Sequence, residues 1–437
     1  MPRKRQHVPL RVLLNNRLVG RLLKEPGGAI SFHYDDTWLN RDDAVPVSLS
    51  LPLREDAYHG EGVAAVFENL LPDSDKLRRR VAEKVGAAGI DAYSLLSQIG
   101  RDCAGALQFL PDGEDEGADT TAIDGEPVSH VEIEILLKNL AQAPLGLGRD
   151  DAFRISVAGA QEKTALLFHK GQWMKPRGTT PTTHILKMQI GALPNGIDLS
   201  HSVENEFYCL KLCDAFGMPV NVASMEVFGK TKALVVERFD RKWTDDGRLL
   251  RLPQEDCCQA LSVPPTRKYQ SEGGPGMTGI LELLKGSDNP AADQKTFLKA
   301  QILFWLIGAT DGHAKNFSIF LGRGGRFRMT PLYDILTAQP SLDARHITRQ
   351  QMKLAMFVGD SRHYRLDMIR GRHFEQTTRK ARIADSIVHE ALEEIGQSAA
   401  QAVTAVERVL PSGFPEKIHV SVKKGLLARI AHLTSAG

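Results

Sequence analysis

The strongest constraint on the fold is a helix pattern that runs directly into a polar loop and then into a hairpin. Residues 297–309 are almost entirely apolar, which predicts the end of a helix buried in a globular domain. The residues that follow are Thr310-Asp-Gly-His-Ala-Lys-Asn316, the strand-like run 317–321, the turn Gly322-Arg-Gly-Gly325, a second strand 326–329 and Leu332-Tyr-Asp334. We expect the hairpin to bring Asp311, Asn316 and Asp334 together.

Phosphoryl transfer needs such a set of side chains. One carboxylate must take or orient the proton of the acceptor hydroxyl, while a second carboxylate and an amide oxygen hold divalent metal ions. The Asp-x4-Asn spacing matches a kinase catalytic loop, and an aspartate beyond a hairpin matches its metal-binding element. We therefore interpret Asp311 as the base, Asn316 as a metal ligand and Asp334 as the principal metal ligand, with ATP and Mg²⁺ as cofactors. The alternative is a polar turn in which Asp311 is only a cap.

Two upstream segments are candidates for holding phosphate groups. Residues 155–164 read as a tight turn between two strands, whose small residues let backbone N–H groups approach phosphate oxygens. The turn matches neither common glycine-rich pattern, so an ordinary hairpin remains open. Lys187 ends a predicted strand and either reaches the α- and β-phosphates or faces solvent. Glu204 or Glu206 could pair with Lys187, and Glu206 is our choice.

The pattern of apolar residues changes near residue 250 from strand-like to helical. Before it we predict strands 8–14, 18–23, 47–53, 154–157, 164–169, 183–188, 224–227 and 233–238, with helices 63–71, 91–99 and 202–216. Asn15-Asn16 between the first two strands predicts a hairpin. After it we predict helices 255–261, 279–284, 291–309, 383–395, 400–409 and 415–434. Residues 235–240 leave a strand for the helical half, where a hinge would present backbone groups to adenine. The predicted fold is α+β, with a two-lobed, protein-kinase-like architecture.

We predict four segments from these changes in pattern. They are a strand-rich subdomain (1–110), an acidic linker with a connecting helix (111–150), a kinase N-lobe with the phosphate-binding turn and the hinge (151–240), and a helical C-lobe with the catalytic loop (241–437). The acidic segment 111–134 carries nine Asp and Glu residues and no Lys or Arg. A solvated linker explains that composition, and mimicry of nucleic acid has no other support.

Composition excludes several other classes of protein. The chain has 437 residues, 42% of them apolar and 25% charged, with a net charge of +2, so it is neither disordered nor a bulk polycation. The five cysteines include no Cys-x-x-Cys pair, so we expect neither a disulfide framework nor a structural zinc site. Arg11 and Arg17 interrupt the apolar run near the start, so no signal peptide is expected. We predict a reduced, cytoplasmic protein with no membrane partner.

With these residues in place, the chain resembles the HipA-type serine/threonine kinase toxins of bacterial type II toxin–antitoxin systems. The resemblance covers nearly the whole chain and departs from the family's pattern in the basic N-terminus and around residues 340–372. The motifs that carry it are Ser-Leu-Ser-Leu-Pro-Leu at 48–53, Asn-Leu-Leu-Pro-Asp-Ser at 69–74, Ser-Val-Ala-Gly-Ala-Gln-Glu-Lys-Thr-Ala-Leu at 156–166, Val-Glu-Arg-Phe-Asp-Arg at 236–241, Arg-Leu-Pro-Gln-Glu-Asp at 251–256, Gly-Ala-Thr-Asp-Gly-His-Ala-Lys-Asn-Phe-Ser at 308–318 and Tyr-Asp at 333–334.

The resemblance implies roles for individual residues. It makes Asp311 the proton acceptor, Asn316 and Asp334 the catalytic metal ligands, and Ser156 a self-phosphorylated serine. Phosphate on Ser156 would add roughly −1.5 to −2 charges beside the phosphate-binding turn and repel ATP, so autophosphorylation should switch the kinase off. The implied ATP-binding residues are Val157, Ala158, Gly159, Ala160, Gln161, Glu162, Lys163, Lys187, Glu237, Arg238, Phe239, Asp240, His313, Ala314, Lys315, Asn316, Tyr333 and Asp334.

The resemblance also implies a target and partners. The expected protein substrate is an aminoacyl-tRNA synthetase such as glutamyl-tRNA synthetase, whose phosphorylation arrests growth. The expected partner is a HipB-like helix-turn-helix antitoxin that carries the kinase to operator DNA. Residues 361–382 contain seven basic and two acidic side chains. Arg379 and Arg382 are spaced i, i+3 on one face of a predicted helix, and they are the implied contacts with DNA phosphates. A solvated basic face is the alternative for that segment.

Two other functions stay open at this point. A small-molecule kinase on the same scaffold would share the catalytic loop but would phosphorylate a sugar or an aminoglycoside. A non-catalytic co-repressor would act only by binding antitoxin and DNA, and it would have no need of Asp311, Asn316 and Asp334 together.

Overall fold

A computed structural model describes residues 7–114, 123–147, 154–159 and 161–433. The strands are β1 (Leu10–Leu14), β2 (Arg17–Lys24), β3 (Ile30–Tyr34), β4 (Tyr58–His59), β5 (Leu107–Pro111), β6 (Gly125–Pro127), β7 (Lys163–His169), β8 (Gln172–Pro176), β9 (His184–Met188), β10 (Gly191–Ala192), β11 (Asp198–Leu199), β12 (Ala223–Phe228), β13 (Thr231–Glu237), β14 (Arg241–Trp243), β15 (Leu249–Arg251), β16 (Gln254–Asp256), β17 (Ser318–Leu321), β18 (Phe327–Met329), β19 (Lys353–Val358) and β20 (His363–Arg365). The helices are α1 (Asp36–Leu39), α2 (Glu61–Glu68), α3 (Asp75–Val85), α4 (Ala92–Ile99), α5 (His130–Lys138), α6 (Ser202–Ala215), α7 (Cys257–Ala260), α8 (Met277–Leu284), α9 (Pro290–Ile307), α10 (Gln339–Asp343), α11 (Gly371–Lys380), α12 (Asp385–Val409) and α13 (Glu416–Ile430).

The chain divides into two compact units. The first, called unit 1, is Met1–Met188, Glu226–Thr266 and Ile319–Arg326. Its five-stranded antiparallel sheet has the order β4-β3-β2-β1-β5. The predicted hairpin at its centre is confirmed, because Asn15 and Asn16 both have positive φ angles, 47° and 64°, as a two-residue type I′ turn requires.

A second sheet in unit 1 carries the predicted phosphate-binding region. Its strand order is β12-β13-β9-β7-β8-β6, and its central pairs β13·β9 and β7·β9 are antiparallel. Ile155 and Val157, which precede β7, are buried in the same hydrophobic core as Phe32 and Phe67 of the N-terminal subdomain. Burial of these apolar side chains therefore ties the predicted phosphate-binding turn to the N-terminal subdomain.

The second unit, called unit 2, is mainly helical. It consists of Gln189–Met225, Arg267–Ser318 and Phe327–Gly437. Helix α9 forms its centre, and both α12 and α13 pack against it. The rings of Phe297 and Phe304 contact that of Phe317, with centroids 4.8 and 5.8 Å away. Within the described parts of the chain, no helix is long and apolar enough to cross a membrane.

The predicted fold class is confirmed, but two of the predicted strands do not form. Residues 47–53 form no regular strand and contain only the bridge Ser48↔Leu51, because the Leu49 N–H donates to the carboxylate of Glu255 rather than to a strand (2.8 Å). Residues 154–157 also form no strand, since the Ser156 N–H donates to the carbonyl of Asp102, which lies outside any strand (2.9 Å).

The predicted break between helices 383–395 and 400–409 is wrong. Helix α12 runs without interruption from Asp385 to Val409. Ala399, Ala402, Val403 and Val406 continue its buried face, so the apolar contacts of the first half extend through the second half.

Candidate active site

Helix α9 places the predicted catalytic loop in unit 2. The helix ends at Gly308, which has a left-handed conformation (φ 74°) and donates to the carbonyls of Phe304 and Trp305, a common way to end a helix. Trp305 is fully buried, and its indole N–H donates to the Leu366 carbonyl (3.0 Å). The loop therefore starts from a fixed point in the core.

Asp311 and Asn316 lie together at the end of this loop. The Asn316 Nδ2 donates to the backbone carbonyl of Asp311 (2.8 Å), and the His313 N–H donates to the same carbonyl (2.8 Å). A single 3-10 turn, Ala314–Asn316, separates the loop from β17. Asn316 is buried, whereas Asp311 is exposed. A reacting group arriving from solvent can therefore reach the Asp311 carboxylate.

Tyr333 ties the Asp334 segment to the catalytic loop. Its hydroxyl donates to the Lys315 carbonyl (2.8 Å) and bonds the Ser318 hydroxyl (2.5 Å). Asp334 itself has a positive φ of 56°, a conformation that costs energy for most residues but that Asp tolerates better than most. The segment following Asp334 is held by Asn205 of α6, whose side chain bonds the N–H and the carbonyl of Thr337 (3.0 and 2.8 Å).

The chemistry of these donors fits a magnesium ion. The Asn316 Nδ2 is occupied by its hydrogen bond to the Asp311 carbonyl. The Asn316 Oδ1 is therefore the side-chain atom that can act as a metal ligand. The Asp334 carboxylate supplies a second hard oxygen donor. Mg²⁺ is usually held by one or two protein oxygens together with substrate phosphates, and Asn316 and Asp334 meet that requirement.

The predicted phosphate-binding turn lies in unit 1. Gly159 has a φ of 110° and would bring any Cβ within 2.5 Å of the Lys163 Nζ, so only glycine fits. The Lys163 ammonium donates to the Ala158 carbonyl (2.7 Å), and the Gln161 side chain donates to the Met188 carbonyl (2.8 Å). These bonds fix both ends of the turn. Ala160, which the sequence includes in the turn, lies outside the described residues.

Ser156, the predicted autophosphorylation site, is completely buried. Its hydroxyl donates to the Leu70 carbonyl (2.7 Å). The neighbouring Asp73 N–H donates to the Gly159 carbonyl (3.3 Å), and Pro72 forms a parallel bridge with Gly159. The motif at 69–74 is thus a backbone partner of the turn at 156–159, a relationship that sequence reasoning missed because nothing in the residue pattern pairs two such distant segments.

Lys187 lies opposite Lys163 on the neighbouring antiparallel strand. Directly opposite residues project to the same face, and like charges placed there repel each other. Both lysines are only 6% exposed. Two cations on one face make this pair of strands a candidate site for phosphate oxygens.

The predicted hinge residues divide into two kinds. Glu237 is exposed at the end of β13, and the Phe239 ring contacts that of Phe320 edge-on at 5.7 Å. Arg238 and Asp240 instead point into the interior and belong to a buried ion cluster. The side chains of Arg238 and Asp240 are therefore committed to the protein interior and not to a nucleotide.

The buried ion cluster contains two carboxylates and three guanidinium groups, all in unit 1, and we call it the Asp102 cluster. Its members are Asp102, Asp240, Arg238, Arg241 and Arg251. Asp102 accepts from Arg238 (3.3 Å), Arg241 (2.8 Å) and Arg251 (3.0 Å), and Asp240 accepts from Arg238 (2.7 Å) and Arg241 (3.1 Å). The cluster links the N-terminal subdomain, through Asp102, to the residues on either side of Phe239.

Pairing with three arginines outweighs burial in setting the pKa of Asp102, whereas burial has the larger effect on the pKa of Arg241. Burial by itself would raise the pKa of Asp102, but the three surrounding arginines hold it well below its usual range. Burial lowers the pKa of Arg241 to about 10. Loss of one partner from a buried pair leaves an uncompensated charge. The arginines of the motifs at 236–241 and 251–256 were visible in the sequence, but their shared partner Asp102 was not.

Glu204 and Glu206 are both buried in α6 of unit 2. The Glu204 carboxylate accepts from the Gln189 side chain (2.6 Å). The pairing of Lys187 with Glu206 stays a prediction.

The two predicted DNA-contacting arginines are exposed but are not on one helix. Helix α11 ends at Lys380, and Arg382 lies beyond it with a φ of 53°. Arg379 is 63% exposed and reaches Glu375 and Asp385 only at 4.0 Å. The prediction that the two arginines share a helical face is therefore wrong, because the left-handed residue at 382 starts a turn. Their contact with DNA stays a prediction.

Comparisons with known proteins identify the family. The HipA N-terminal domain matches residues 10–110, and the HipA-like C-terminal domain matches residues 155–403. The chain belongs to the HipA family. A relative named Putative kinase Y4mE, from Sinorhizobium fredii, is 34% identical over 402 residues, which is 91% of each chain.

Two further matches come from Shewanella oneidensis. The Serine/threonine-protein kinase toxin HipA is 29% identical over 362 residues, 79% of this chain and 78% of the relative. The solved structure of a complex of HipA, HipB and operator DNA matches with a TM-score of 0.79 and 24% identity over 96% of both chains, and so shares the fold. The predicted resemblance to HipA-type kinase toxins and the predicted enzyme class, serine/threonine protein kinase, are confirmed.

Proposed function

We propose that this HipA-family chain transfers the γ-phosphoryl group of ATP to a seryl or threonyl hydroxyl of a protein, with Asp311 as the proton acceptor. The observation that carries the proposal is the bonding of Asn316 to the backbone of Asp311, next to a segment in which Tyr333 holds the following Asp334 against the same loop. A non-catalytic co-repressor would have no reason to fix these side chains together.

The residues of unit 2 supply the reacting groups. The exposed Asp311 carboxylate accepts a hydrogen bond from the acceptor hydroxyl and orients it for attack. Asn316 and Asp334 hold the metal through their oxygens. When bound, Mg²⁺ neutralises charge on the phosphates. The backbone at Asp334 has a positive φ of 56°, and the neighbouring Tyr333 hydroxyl bonds the catalytic loop at Lys315.

The residues of unit 1 bind the nucleotide. Lys163 and Lys187 provide two buried positive charges for the phosphate oxygens. Gly159 allows the backbone of the turn to approach the same groups. The backbone around Glu237 and Phe239 contacts adenine. The Asp102 cluster holds that backbone in position, because its members Arg238 and Asp240 flank Phe239 and are buried.

Ser156 acts as an off-switch through autophosphorylation. Its hydroxyl is fully buried against Leu70, and a phosphate group carrying roughly −1.5 to −2 charges is larger and more strongly hydrated than the hydroxyl that this position accommodates. Phosphorylation therefore requires the turn 156–159 to leave its position. Once modified, the turn is prevented from returning, and Gly159 is lost from the phosphate-binding region.

The protein target and partners follow from the family. The Shewanella oneidensis relative is named as a toxin, and a structure of the same fold was solved with HipB and operator DNA. We propose a growth-arresting toxin that phosphorylates an aminoacyl-tRNA synthetase, such as glutamyl-tRNA synthetase. A HipB-like antitoxin neutralises it and brings the exposed Arg379 and Arg382 to operator DNA.

The experiment is incubation of the purified chain with radiolabelled ATP, Mg²⁺ and glutamyl-tRNA synthetase. Asp311→Asn should lose on the order of 10²- to 10⁴-fold in rate, whereas the surface control Asp246→Asn should match the wild type. Equal labelling by the wild type and Asp311→Asn would refute the proposed base. Label found only on small molecules would instead indicate a metabolite kinase.

A further inference from the structure

The catalytic carboxylate has a specific hydrogen-bond donor from elsewhere in unit 2. The Tyr269 hydroxyl donates to the Oδ1 of Asp311 at 2.5 Å. Tyr269 is 42 residues before Asp311 in the chain, so the contact is a product of the fold and not of a local turn. A short hydrogen bond to an ionised carboxylate is among the stronger ones in proteins.

The Tyr269 ring is held against the catalytic loop by a second contact. It meets the ring of His313 edge-on, with centroids 4.9 Å apart and an angle of 83° between the ring planes. His313 is buried between Asp311 and the 3-10 turn that carries Asn316. One face of the catalytic loop is therefore lined by Tyr269.

The backbone around Tyr269 is built to keep the ring in place. The Tyr269 carbonyl accepts from the N–H groups of Gly274 (2.9 Å) and Glu272 (3.0 Å). A Cβ at Gly274 would lie 2.0 Å from the Arg267 carbonyl oxygen, so only glycine allows this loop to close. The next residue, Gln270, accepts from the Phe357 N–H of β19 (2.9 Å). The loop is thus anchored to the core of the unit.

We propose that Tyr269 is a positioning residue for phosphoryl transfer. Its hydroxyl donates to Oδ1 and so limits rotation of the Asp311 carboxylate while the acceptor hydroxyl binds. This inference rests on the proposed role of Asp311 as the proton acceptor. A carboxylate that rotates freely presents the correct oxygen only part of the time, and general-base catalysis depends on that geometry.

An anchored loop distinguishes this role from that of a removable plug. If Tyr269 only occupied the place of the acceptor hydroxyl, it would have to leave during each turnover. Movement of the loop would break the hydrogen bonds of Gln270 and Gly274, and rotation of the side chain alone would break the contact of its ring with His313. A positioning residue needs no such movement.

The variant Tyr269→Phe tests the proposal because it keeps the ring on His313 and removes only the hydroxyl. We expect kcat to fall by roughly tenfold, the loss associated with a hydrogen bond to a charged group. The KM for ATP and the thermal midpoint should be unchanged. Tyr364→Phe is the matched control, since Tyr364 packs against Phe357 in the same unit and should leave kcat at the wild-type value.

A double variant separates positioning from a general structural effect. If Tyr269 acts through Asp311, adding Tyr269→Phe to Asp311→Asn should cause no further loss of rate. A full additional tenfold loss in that background would overturn the proposal. A wild-type kcat for Tyr269→Phe, or a raised one as expected of a plug, would overturn it as well. Failure of Asp311→Asn to lower the rate is a separate result and would refute the proposed function.

Discussion

Lys163 and Lys187 are directly paired residues on adjacent antiparallel strands of unit 1, and both are buried. Each was singled out from the sequence, but on separate grounds, one as part of a turn and the other as the end of a strand. Their pairing concentrates two positive charges beside the turn that contains Gly159. Two cations at this place would attract the oxygens of a bound phosphate group.

Replacement of Lys187 should therefore weaken nucleotide binding. Lys187→Met removes one cation and keeps most of the apolar stem. We expect the Kd for ATP to rise by roughly tenfold or more, the effect of losing one charge-assisted bond. Lys242→Met, at an exposed lysine of β14, is the control for charge alone. An unchanged Kd would remove Lys187 from the phosphate site.

The Asp102 cluster predicts a large loss of stability from one isosteric change. Asp102→Asn removes the charge that three buried arginines share, and breaking a buried pair costs about 3–5 kcal/mol of unfolding free energy. Chemical denaturation measures this loss. Asp246→Asn breaks an exposed pair with Arg248 and should leave the transition in place. If Asp102→Asn and Asp246→Asn both unfold at the wild-type midpoint, the Asp102 cluster does not stabilise the folded protein.

Glu255 predicts a loss of stability as pH rises from the acid range through about 8. Burial, offset in part by the Leu49 N–H, raises its pKa to about 8 from a model-peptide value of 4.5. The folded state therefore holds a proton that the unfolded state releases, so the contribution is complete below the unfolded pKa and is lost as pH rises through about 8.

Glu255→Gln keeps the shape of this side chain and removes its titration. The variant should flatten the dependence of unfolding free energy on pH between about 5 and 9, measured by urea denaturation at several pH values. Glu61→Gln, at an exposed position in the first turn of α2, should follow the wild-type curve. A Glu255→Gln curve that also follows the wild type would show that Glu255 is ionised throughout.

Ser156 predicts a separation between self-labelling and nucleotide binding. Ser156→Ala should abolish incorporation of phosphate into the chain while leaving the Kd for ATP near the wild-type value, because Ser156 presents its hydroxyl to Leu70 and not to a ligand. Mass spectrometry of the labelled chain gives the position of the phosphate. Phosphate on another residue, in the wild type or in the variant, would refute the assignment.

The sequence predicted local structure well wherever one segment carries its own signal. The Asn15-Asn16 hairpin and the grouping of Asp311 with Asn316 depend on neighbours in the chain, and each was predicted. Helix α9 was predicted to reach residue 309 and ends at Ile307, before Gly308. The contacts that hold the site together depend on distant segments. Ser156 to Leu70, Arg238 to Asp102 and Tyr269 to Asp311 join residues at least 42 positions apart, and neither periodicity nor motif spacing indicates such pairs.

The failed strand predictions have the same cause. Residues 47–53 alternate like a strand, but Ser48 and Ser50 donate to the carbonyl of Gln259 (3.4 and 2.8 Å). The alternation therefore reflects docking onto α7 and not a place in a sheet. Tertiary partners that a single sequence does not reveal decided the local conformation.

Phosphoproteomics after induced expression tests phosphoryl transfer through Asp311 in cells, by comparing cells that make the wild-type chain with cells that make Asp311→Asn. We expect new phosphoserine or phosphothreonine on an aminoacyl-tRNA synthetase, and growth arrest, only with the wild type. Identical phosphopeptides in the two cultures, with growth arrested in both, would contradict this expectation, because the effect on growth would then not depend on phosphoryl transfer through Asp311.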